Sequence, residues 1–338
     1  MLLRNKIVSL LDIFYREPRL KMRVSKEKNV IKLESDNDIV NPNRYVFMVD
    51  GRIHHGGMFD RLKGLITIYA IAKAQGKEFK IDWIYPFHLD KYLSPVRTQQ
   101  GLICDWRINE QQMSWKPKDY QVVIAYGEFA NPSRLWKNRK KETHFYYGYD
   151  SLKEVNNHFE THYNWGELYR ELFKPTPYLQ KYLDTFLKEI GSEYMAIHTR
   201  WLNLLGDKVE YTDINPELES RERKKALMDA AVSKINEIYQ NAKEKDSALR
   251  LMIASDSMTF ISYLKQVIPD VYVVPGTVKH IDTAGETDDS ENIKMFTDYY
   301  LIARAKRVYS LWHEGMWKSA FPEYAAKIGG VPFERISF

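Results

Sequence analysis

The stretch YMAIHTR, residues 194–200, leads from an apolar run directly into a histidine and an arginine. The four residues from Tyr194 to Ile197 predict a buried strand that ends near His198. Ligands of open α/β sheets bind outside the carboxyl ends of strands, and a guanidinium is a planar fork of donors that matches phosphate oxygens. The segment therefore predicts an anion-binding position at Arg200. A strand end that is exposed to solvent or paired with acids is the plainer interpretation of the same two side chains.

Predicted strands and helices alternate on both sides of this segment. Before it we predict strands and one helix that follows a glycine-rich turn at 51–57: strands 45–50, 79–83 and 121–126, and helix 58–74. Residues 145–169 are aromatic and mixed, with helix expected at their end. The second half alternates in the same way: strands 249–254, 271–274 and 307–310, and helices 178–190, 221–240, 259–267, 293–305 and 316–328, the last kinked at Pro322. Such alternation predicts an α/β fold with parallel strands and covered sheet faces.

The length of the chain favours two domains, because 338 residues are many for a single hydrophobic core. Lys174-Pro175-Thr176-Pro177 has two prolines in four residues, which is typical of a linker. We predict an N-terminal helix and connector over 1–44, a first α/β domain over 45–175 and a second over 176–338.

Composition and charge indicate a globular protein that attracts anions weakly. The chain is 44% hydrophobic and 28% charged, with a net charge of +5, and it has no dense basic stripe, so nucleic acid is not an expected partner. Cys104 is the one cysteine, which favours a reducing compartment. No apolar run approaches the 18 or so residues of a membrane-spanning helix. We expect a cytoplasmic protein.

The N-terminal segment has an amphipathic pattern. Ile7, Leu10, Leu11 and Phe14 fall on one helical face among basic residues, and such a helix can lie on an anionic membrane surface. Docking of this helix on the body of the protein is the favoured alternative. Peripheral membrane association is thus kept as a second expectation beside the cytoplasmic one.

Three further segments are typical of ligand-binding strand ends. They are the turn Gly51–Gly57 with Asp60-Arg61, the strand end Met252–Ser257 with Asp256, and Ser310–Gly315 before the predicted helix from Met316. Glycines let a backbone approach a ligand, and a helix N-terminus favours anions. Ordinary βα turns and helix caps explain the same patterns. The chain has no GxGxxG and no P-loop, so a routine dinucleotide or ATP site is disfavoured.

No metal site is predicted. His313-Glu314 does not continue as HExxH, because Trp317 stands where the second histidine would be. Asp36-Asn37-Asp38 is similar to the short acidic motif with which many sugar-nucleotide enzymes hold a divalent metal, but its surroundings are charged and it is interpreted as a solvated loop.

With these residues in order, the chain resembles the fucosyltransferases of the α1,2/α1,6/protein-O-fucosyl superfamily. Gly56-Gly57 with Asp60-Arg61-Leu62-Lys63-Gly64 is similar to its N-terminal element, and His198-Thr199-Arg200 to its central HxR motif. Ala254-Ser255-Asp256 is similar to its second C-terminal motif. The third corresponds to Asp298-Tyr299-Tyr300-Leu301 with residues 310–319. The resemblance covers about residues 45–330.

The resemblance implies a GT-B architecture, in which two Rossmann-like domains face a cleft. It implies a bacterial-type glycosyltransferase that moves fucose from GDP-fucose to a glycan acceptor, such as a surface polysaccharide precursor, with inversion and without a metal or other cofactor. The second domain would bind the nucleotide sugar and the first mainly the acceptor. Arg200 would hold the β-phosphate as the catalytic residue, and the other implied nucleotide-sugar contacts are Gly56, Gly57, Asp60, His198, Asp256, Ser310, His313 and Gly315.

Some features depart from the superfamily and leave alternatives open. The central motif continues as Trp201-Leu202-Asn203, where many relatives have a second basic residue and an acid, and Trp312-His313-Glu314 replaces the usual Ser-Phe-Ser. Another nucleotide sugar is one alternative, and a non-catalytic nucleotide-sugar or glycan-binding protein is another. Spacing does not select a catalytic base; the candidates are Asp60, His54, His55 and Glu128.

Overall fold

The computed structural model describes residues 41–53, 55–96, 120–125, 134–207, 216–278, 281 and 287–338, with a few residues near the N-terminus (10–11, 14–15, 18–19 and 22). The chain divides into two compact units, Met1–Lys174 and Pro175–Phe338. Each unit contains its own parallel four-stranded sheet.

The first unit is built on the strand order β2-β1-β5-β4. Its elements are β1 (Arg44–Val49), α1 (Met58–Ala74), β2 (Glu78–Trp83), a short 3-10 helix (Leu89–Lys91), β3 (Leu93–Pro95), β4 (Tyr120–Ala125), β5 (Glu142–Tyr147), α2 (Leu152–Phe159) and α3 (Trp165–Leu172). A further short strand, β6 (Phe173–Pro175), pairs with β3 at the boundary between the units.

The second unit has the strand order β10-β9-β7-β8. Its elements are α4 (Pro177–Ile190), β7 (Tyr194–Thr199), α5 (Arg221–Lys243), β8 (Arg250–Ser255), α6 (Met258–Val267), α7 (Asp289–Arg304), β9 (Val308–Trp312), α8 (Phe321–Gly329) and β10 (Phe333–Ser337). The predicted α/β class with parallel strands is confirmed.

The two faces of the second sheet differ in a way that positions the site. Ile197, Ile253, Tyr309 and Leu311 belong to one hydrophobic cluster, together with side chains of α5 and α6, and Ile336 packs against it. Because successive strand residues point to opposite faces, His198, Ala254, Ser310 and Arg335 lie on the other face. The ring of Phe321, the first residue of α8, stacks on His198 there.

Four differences separate the observed elements from the predicted ones. Residues 142–147 form a central strand although Glu142 and His144 are polar, because Glu142 contacts both His144 (2.9 Å) and Arg44 (3.4 Å) in the interior. The final helix begins at Phe321 rather than at Met316, and Pro322 lies in its first turn, where proline is tolerated, rather than at a kink. Residues 271–274 contribute a single bridge at Tyr272, and β10 was not predicted.

Other predictions fall partly or wholly outside the described residues. These include Asp36-Asn37-Asp38, Cys104, His54 and Glu128. Of the predicted N-terminal face, Leu10, Leu11 and Phe14 are described and are exposed. Among the described helices, none combines the length and the apolar character needed to cross a membrane.

Candidate functional site

The carboxyl edge of the second sheet brings together four of the residues predicted from the sequence. His198 of β7 lies in register with Ser310 of β9 on one side and with Ala254 of β8 on the other. Arg200 follows β7 and Asp256 follows β8 directly. In parallel sheets this edge is where ligands bind. The structure therefore places His198, Arg200, Asp256 and Ser310 along one edge of one sheet.

His198 is a buried, neutral imidazole. Its side chain is 7% exposed, and its ring stacks on Phe321 with centroids 5.6 Å apart. Burial, reinforced by the positive charges of Arg200 and Arg335, lowers the pKa of His198 to about 3. Its Nδ1 is buried without a hydrogen-bond partner among the described residues. The imidazole therefore adds no charge to the site at neutral pH and retains an unused hydrogen-bonding atom.

Asp256 holds the turn that follows Arg200. Its Oδ1 accepts a hydrogen bond from the Trp201 amide at 2.7 Å, and its Oδ2 accepts one from the Leu202 amide at 2.9 Å. Leu202 has a φ of 53°, a left-handed conformation that is unusual for a side chain of this kind. Burial raises the pKa of Asp256 even though Arg200 and the two amides act in the opposite direction. The sequence predicted a ligand contact for Asp256. It did not predict that this carboxylate holds the turn through two backbone amides.

Trp201 is part of the core beneath this turn. It is fully buried, its ring lies 4.6 Å from that of Phe260, and its Nε1 donates to Thr199 Oγ1 at 3.0 Å. Thr199 in turn donates to Ser255 Oγ at 2.9 Å, which ties β7 to β8. Trp201 is therefore a core residue below the sheet edge and adds no charge to that edge.

The segment after β9 differs from the predicted helix start. Ser310 is buried on the His198 face, but His313 and Gly315 lie in a turn that precedes α8 by several residues. Gly315 has a φ of +94°, and the His313 ring packs 5.4 Å from that of Phe338. His313 and Gly315 therefore do not form a helix N-terminus, and their contact with the nucleotide sugar stays a prediction.

In the first unit, the glycine-rich turn is fixed from below by Arg61. This arginine is 1% exposed and donates to the carbonyls of Gly56 at 2.9 Å and Tyr85 at 2.7 Å. Asp60 accepts from the Gly57 amide at 3.3 Å and pairs with Lys63 at 2.6 Å, so it caps its own helix. From the sequence, Arg61 was assigned to a motif without a separate role. In the structure, this side chain holds the Gly56 carbonyl in position.

A buried polar cluster at the end of β1 was not found from the sequence. The Asp50 carboxylate is fully buried and accepts hydrogen bonds from the Tyr146 hydroxyl at 2.6 Å and from Arg52 at 2.9 Å. Burial alone would raise the pKa of Asp50, but the contacts with His55, Arg52 and Tyr146 outweigh it and lower this pKa. His55 Nε2 accepts a hydrogen bond from the Gly51 amide at 3.0 Å. Arg52 and His55 are close to Asp50 in the sequence, but Tyr146 reaches it only through the pairing of β1 with β5.

The described residues contain no group of three or more His, Cys, Asp or Glu side chains placed to hold a metal ion.

Comparison with known proteins agrees with this architecture. No family model and no curated protein matches the sequence. Among solved structures, the chain is similar to NodZ α-1,6-fucosyltransferase soaked with GDP-fucose, with a TM-score of 0.51, 18% identity, and coverage of 87% of this chain and 94% of that one. Another match describes NodZ from Bradyrhizobium. The chain is also similar to a mutant of Arabidopsis thaliana FUT1 in complex with GDP, with a TM-score of 0.51, 10% identity and coverage of 94% and 74%.

The fold is that of a GT-B glycosyltransferase. Within that class, it is the fold of the fucosyltransferases NodZ and FUT1. The resemblance predicted from four short motifs is thus confirmed at the level of the fold.

Proposed function

We propose that this protein is a fucosyltransferase that moves fucose from GDP-fucose to a glycan acceptor, with inversion and without a metal. The observation that carries the proposal is the position of Arg200. It follows the central strand β7 at the carboxyl edge of the second sheet, between β8 and β9. The similar structures of NodZ and FUT1 are described with GDP-fucose and GDP, which supports a guanine-nucleotide donor.

The proposed reaction is a single displacement at the anomeric carbon of fucose. An acceptor hydroxyl oxygen forms the new bond on one face while the bond to the β-phosphate oxygen breaks on the other. GDP leaves with the electron pair, and the proton of the acceptor hydroxyl passes to water in the site. Arg200 neutralises the charge that develops on the leaving phosphate, a role that a permanently charged, bidentate donor performs well.

The remaining residues have supporting roles in this proposal. Residues 176–338 bind the nucleotide sugar, where Asp256 keeps the turn after Arg200 in place and His198 and Ser310 line the same edge. Residues 45–175 bind mainly the acceptor. Gly56, Gly57 and Asp60 present the turn before α1 to the pyrophosphate. We further propose a cytoplasmic enzyme that acts on a polysaccharide precursor, with peripheral membrane contact through the N-terminal segment.

A thermal-shift comparison tests the donor. A ligand that binds only the folded state raises the unfolding temperature, so GDP and GDP-fucose are expected to raise it while UDP and ADP leave it unchanged, with the same result in EDTA. A shift with UDP or ADP instead would point to another nucleotide sugar. If GDP-fucose binds but no GDP is released, not even by slow hydrolysis, the result would support a non-catalytic binding protein.

A further inference from the structure

Arg335 lies in the same row of the second sheet as His198. On β10 it pairs in register with Ser310 of β9, and Ser310 pairs with His198 of β7. Its neighbour Ile336 packs against the hydrophobic cluster on the opposite face. Arg335 therefore projects from the face of the sheet that carries His198, two strands away and at the same height.

The charge of Arg335 is only partly neutralised. Its Nη2 donates to the Ser319 carbonyl at 2.9 Å and lies 3.8 Å from Glu323 Oε2. The other oxygen of Glu323 pairs with Lys327 at 3.0 Å, so this acid is shared between two cations. Both polar contacts involve Nη2 of a guanidinium that has five N–H donors, and the guanidinium carbon lies 5.7 Å from the centre of the Phe333 ring.

The charges of Arg200 and Arg335 converge on His198. Both lower the pKa of that imidazole, so both fields reach the same buried point. The position after Arg200 cannot add a second cation, because Trp201 is buried in the core. A sugar-linked nucleoside diphosphate carries two negative charges, whereas Arg200 alone supplies one positive charge.

We propose that Arg335 is a second cationic ligand for the diphosphate of the nucleotide-sugar donor, which it reaches from β10 across Ser310. This inference rests on the proposed function. A guanidinium suits this part because it offers two parallel donors to phosphate oxygens.

Calorimetric titration of the full-length protein with GDP and with guanosine tests the proposal. Replacing Arg335→Gln removes a charge-assisted contact, so GDP binding should weaken about tenfold or more while guanosine binding stays unchanged. A structural role through Ser319 and α8 would instead weaken both ligands together. Arg307→Gln is the matched control, because Arg307 precedes β9 at the opposite end of the same sheet; this change should leave GDP binding unaffected.

Arg335→Lys covers the case in which the glutamine variant does not fold. It keeps the charge and the long stem but loses the fork, so GDP binding should still fall several-fold. If folded Arg335→Gln binds GDP with wild-type affinity, or if it loses as much affinity for guanosine as for GDP, the inference is overturned. The proposed function would not be affected. Absence of any GDP binding by the wild-type protein would instead refute the proposed function, and this inference with it.

Discussion

Arg200 and His198 are two residues apart, but the arginine side chain is charged and the histidine side chain is neutral. Arg200 is partly exposed at the sheet edge, whereas His198 is buried between the sheet and Phe321. A guanidinium keeps its charge almost anywhere, and an imidazole loses its proton when it is buried beside cations. The HxR pattern thus combines one permanent cation with one neutral side chain.

Replacement of Arg200 tests its assignment to the leaving group. We expect Arg200→Ala to lower kcat by about 10²–10³-fold, the usual loss when a donor aimed at developing charge is removed. Arg200→Lys should recover part of this rate because it restores the charge without the fork. Fucose transfer from GDP-fucose is the measurement, with exposed Arg221→Ala on α5 as the control. Equal kcat in wild type and Arg200→Ala would refute the assignment.

The pKa of His198 predicts a pH dependence of folding. The pKa falls from the ordinary 6.5 to about 3 in the folded protein, so the unfolded chain binds more protons between these values. The stability is fully present above pH 6.5 and is lost as the pH falls toward 3, with a slope of up to about 1.4 kcal/mol per pH unit from this residue.

Urea unfolding at several pH values measures this contribution. The His198→Gln variant should lose less stability than wild type between pH 7 and pH 4.5, because it has no imidazole to protonate on unfolding. The exposed His162→Gln is the control. Parallel curves for wild type and His198→Gln would show that His198 protonates equally in both states.

At the scale of elements, the turn after β7 depends on β8. Asp256→Asn keeps one carbonyl acceptor but turns an amide donor toward a backbone N–H, so one of the two bonds is lost. We expect a loss of about 1–3 kcal/mol of unfolding free energy and a lower kcat, because the turn directly follows Arg200. Chemical denaturation and transfer kinetics give the two readouts. As a control, exposed Asp270→Asn should change neither the unfolding free energy nor kcat. If kcat is unaltered in Asp256→Asn, the position of this turn does not matter for catalysis.

The packing of α1 on its sheet depends on Gly64. A Cβ at this position would lie 1.9 Å from the Tyr147 carbonyl oxygen. Gly64→Ala should therefore destabilise the protein by about 1–3 kcal/mol or more, although alanine is the better helix former. Gly191→Ala provides a comparison, because its φ is +82° and no atom lies within 4 Å of the added Cβ, so its cost comes from the backbone alone. Thermal unfolding should show the larger loss for Gly64→Ala.

Sequence periodicity predicted long elements better than short or polar ones. The bounds of α1 and of β7 agree with prediction to within a residue, because each is an apolar stretch that glycines or polar residues bound on both sides. β5 was missed because Glu142 and His144 find partners on other residues in the interior. The start of α8 was misplaced because Met316 is buried without being helical.

On the scale of the whole molecule, the second unit has a complete core of its own. All members of the large hydrophobic cluster around β7, α5 and α6 belong to residues after 175. A fragment of residues 176–338, roughly 160 residues long, is large enough to bury about two thirds of its surface. We expect it to unfold cooperatively.

The same fragment tests where the nucleotide binds. GDP should raise its unfolding temperature, and Arg200→Ala in the fragment should abolish most of this shift. Circular dichroism and thermal-shift measurements on the fragment and the full chain provide the comparison. If GDP raises the unfolding temperature of the full chain but not that of the folded fragment, essential nucleotide contacts lie in residues 1–175.

The α/β class, the parallel strands, the positions of most helices and the HxR segment at a strand end could all be predicted from the amino-acid sequence. These features follow from local patterns of apolar residues, glycines and prolines, which involve residues close together in the sequence. The sequence also carried the four short motifs from which the fucosyltransferase resemblance was drawn.

Which strand ends meet and what each polar residue contacts became known from the folded chain alone. The strand order sets Ser310 beside His198, Arg335 beside Ser310, and Asp256 against the turn after Arg200. The burial of His198 under Phe321 and the contact of Asp50 with Tyr146 both involve residues far away in the chain. Pairing of distant strands and the desolvation it causes have no local signature, because both arise only when separate segments exclude water together.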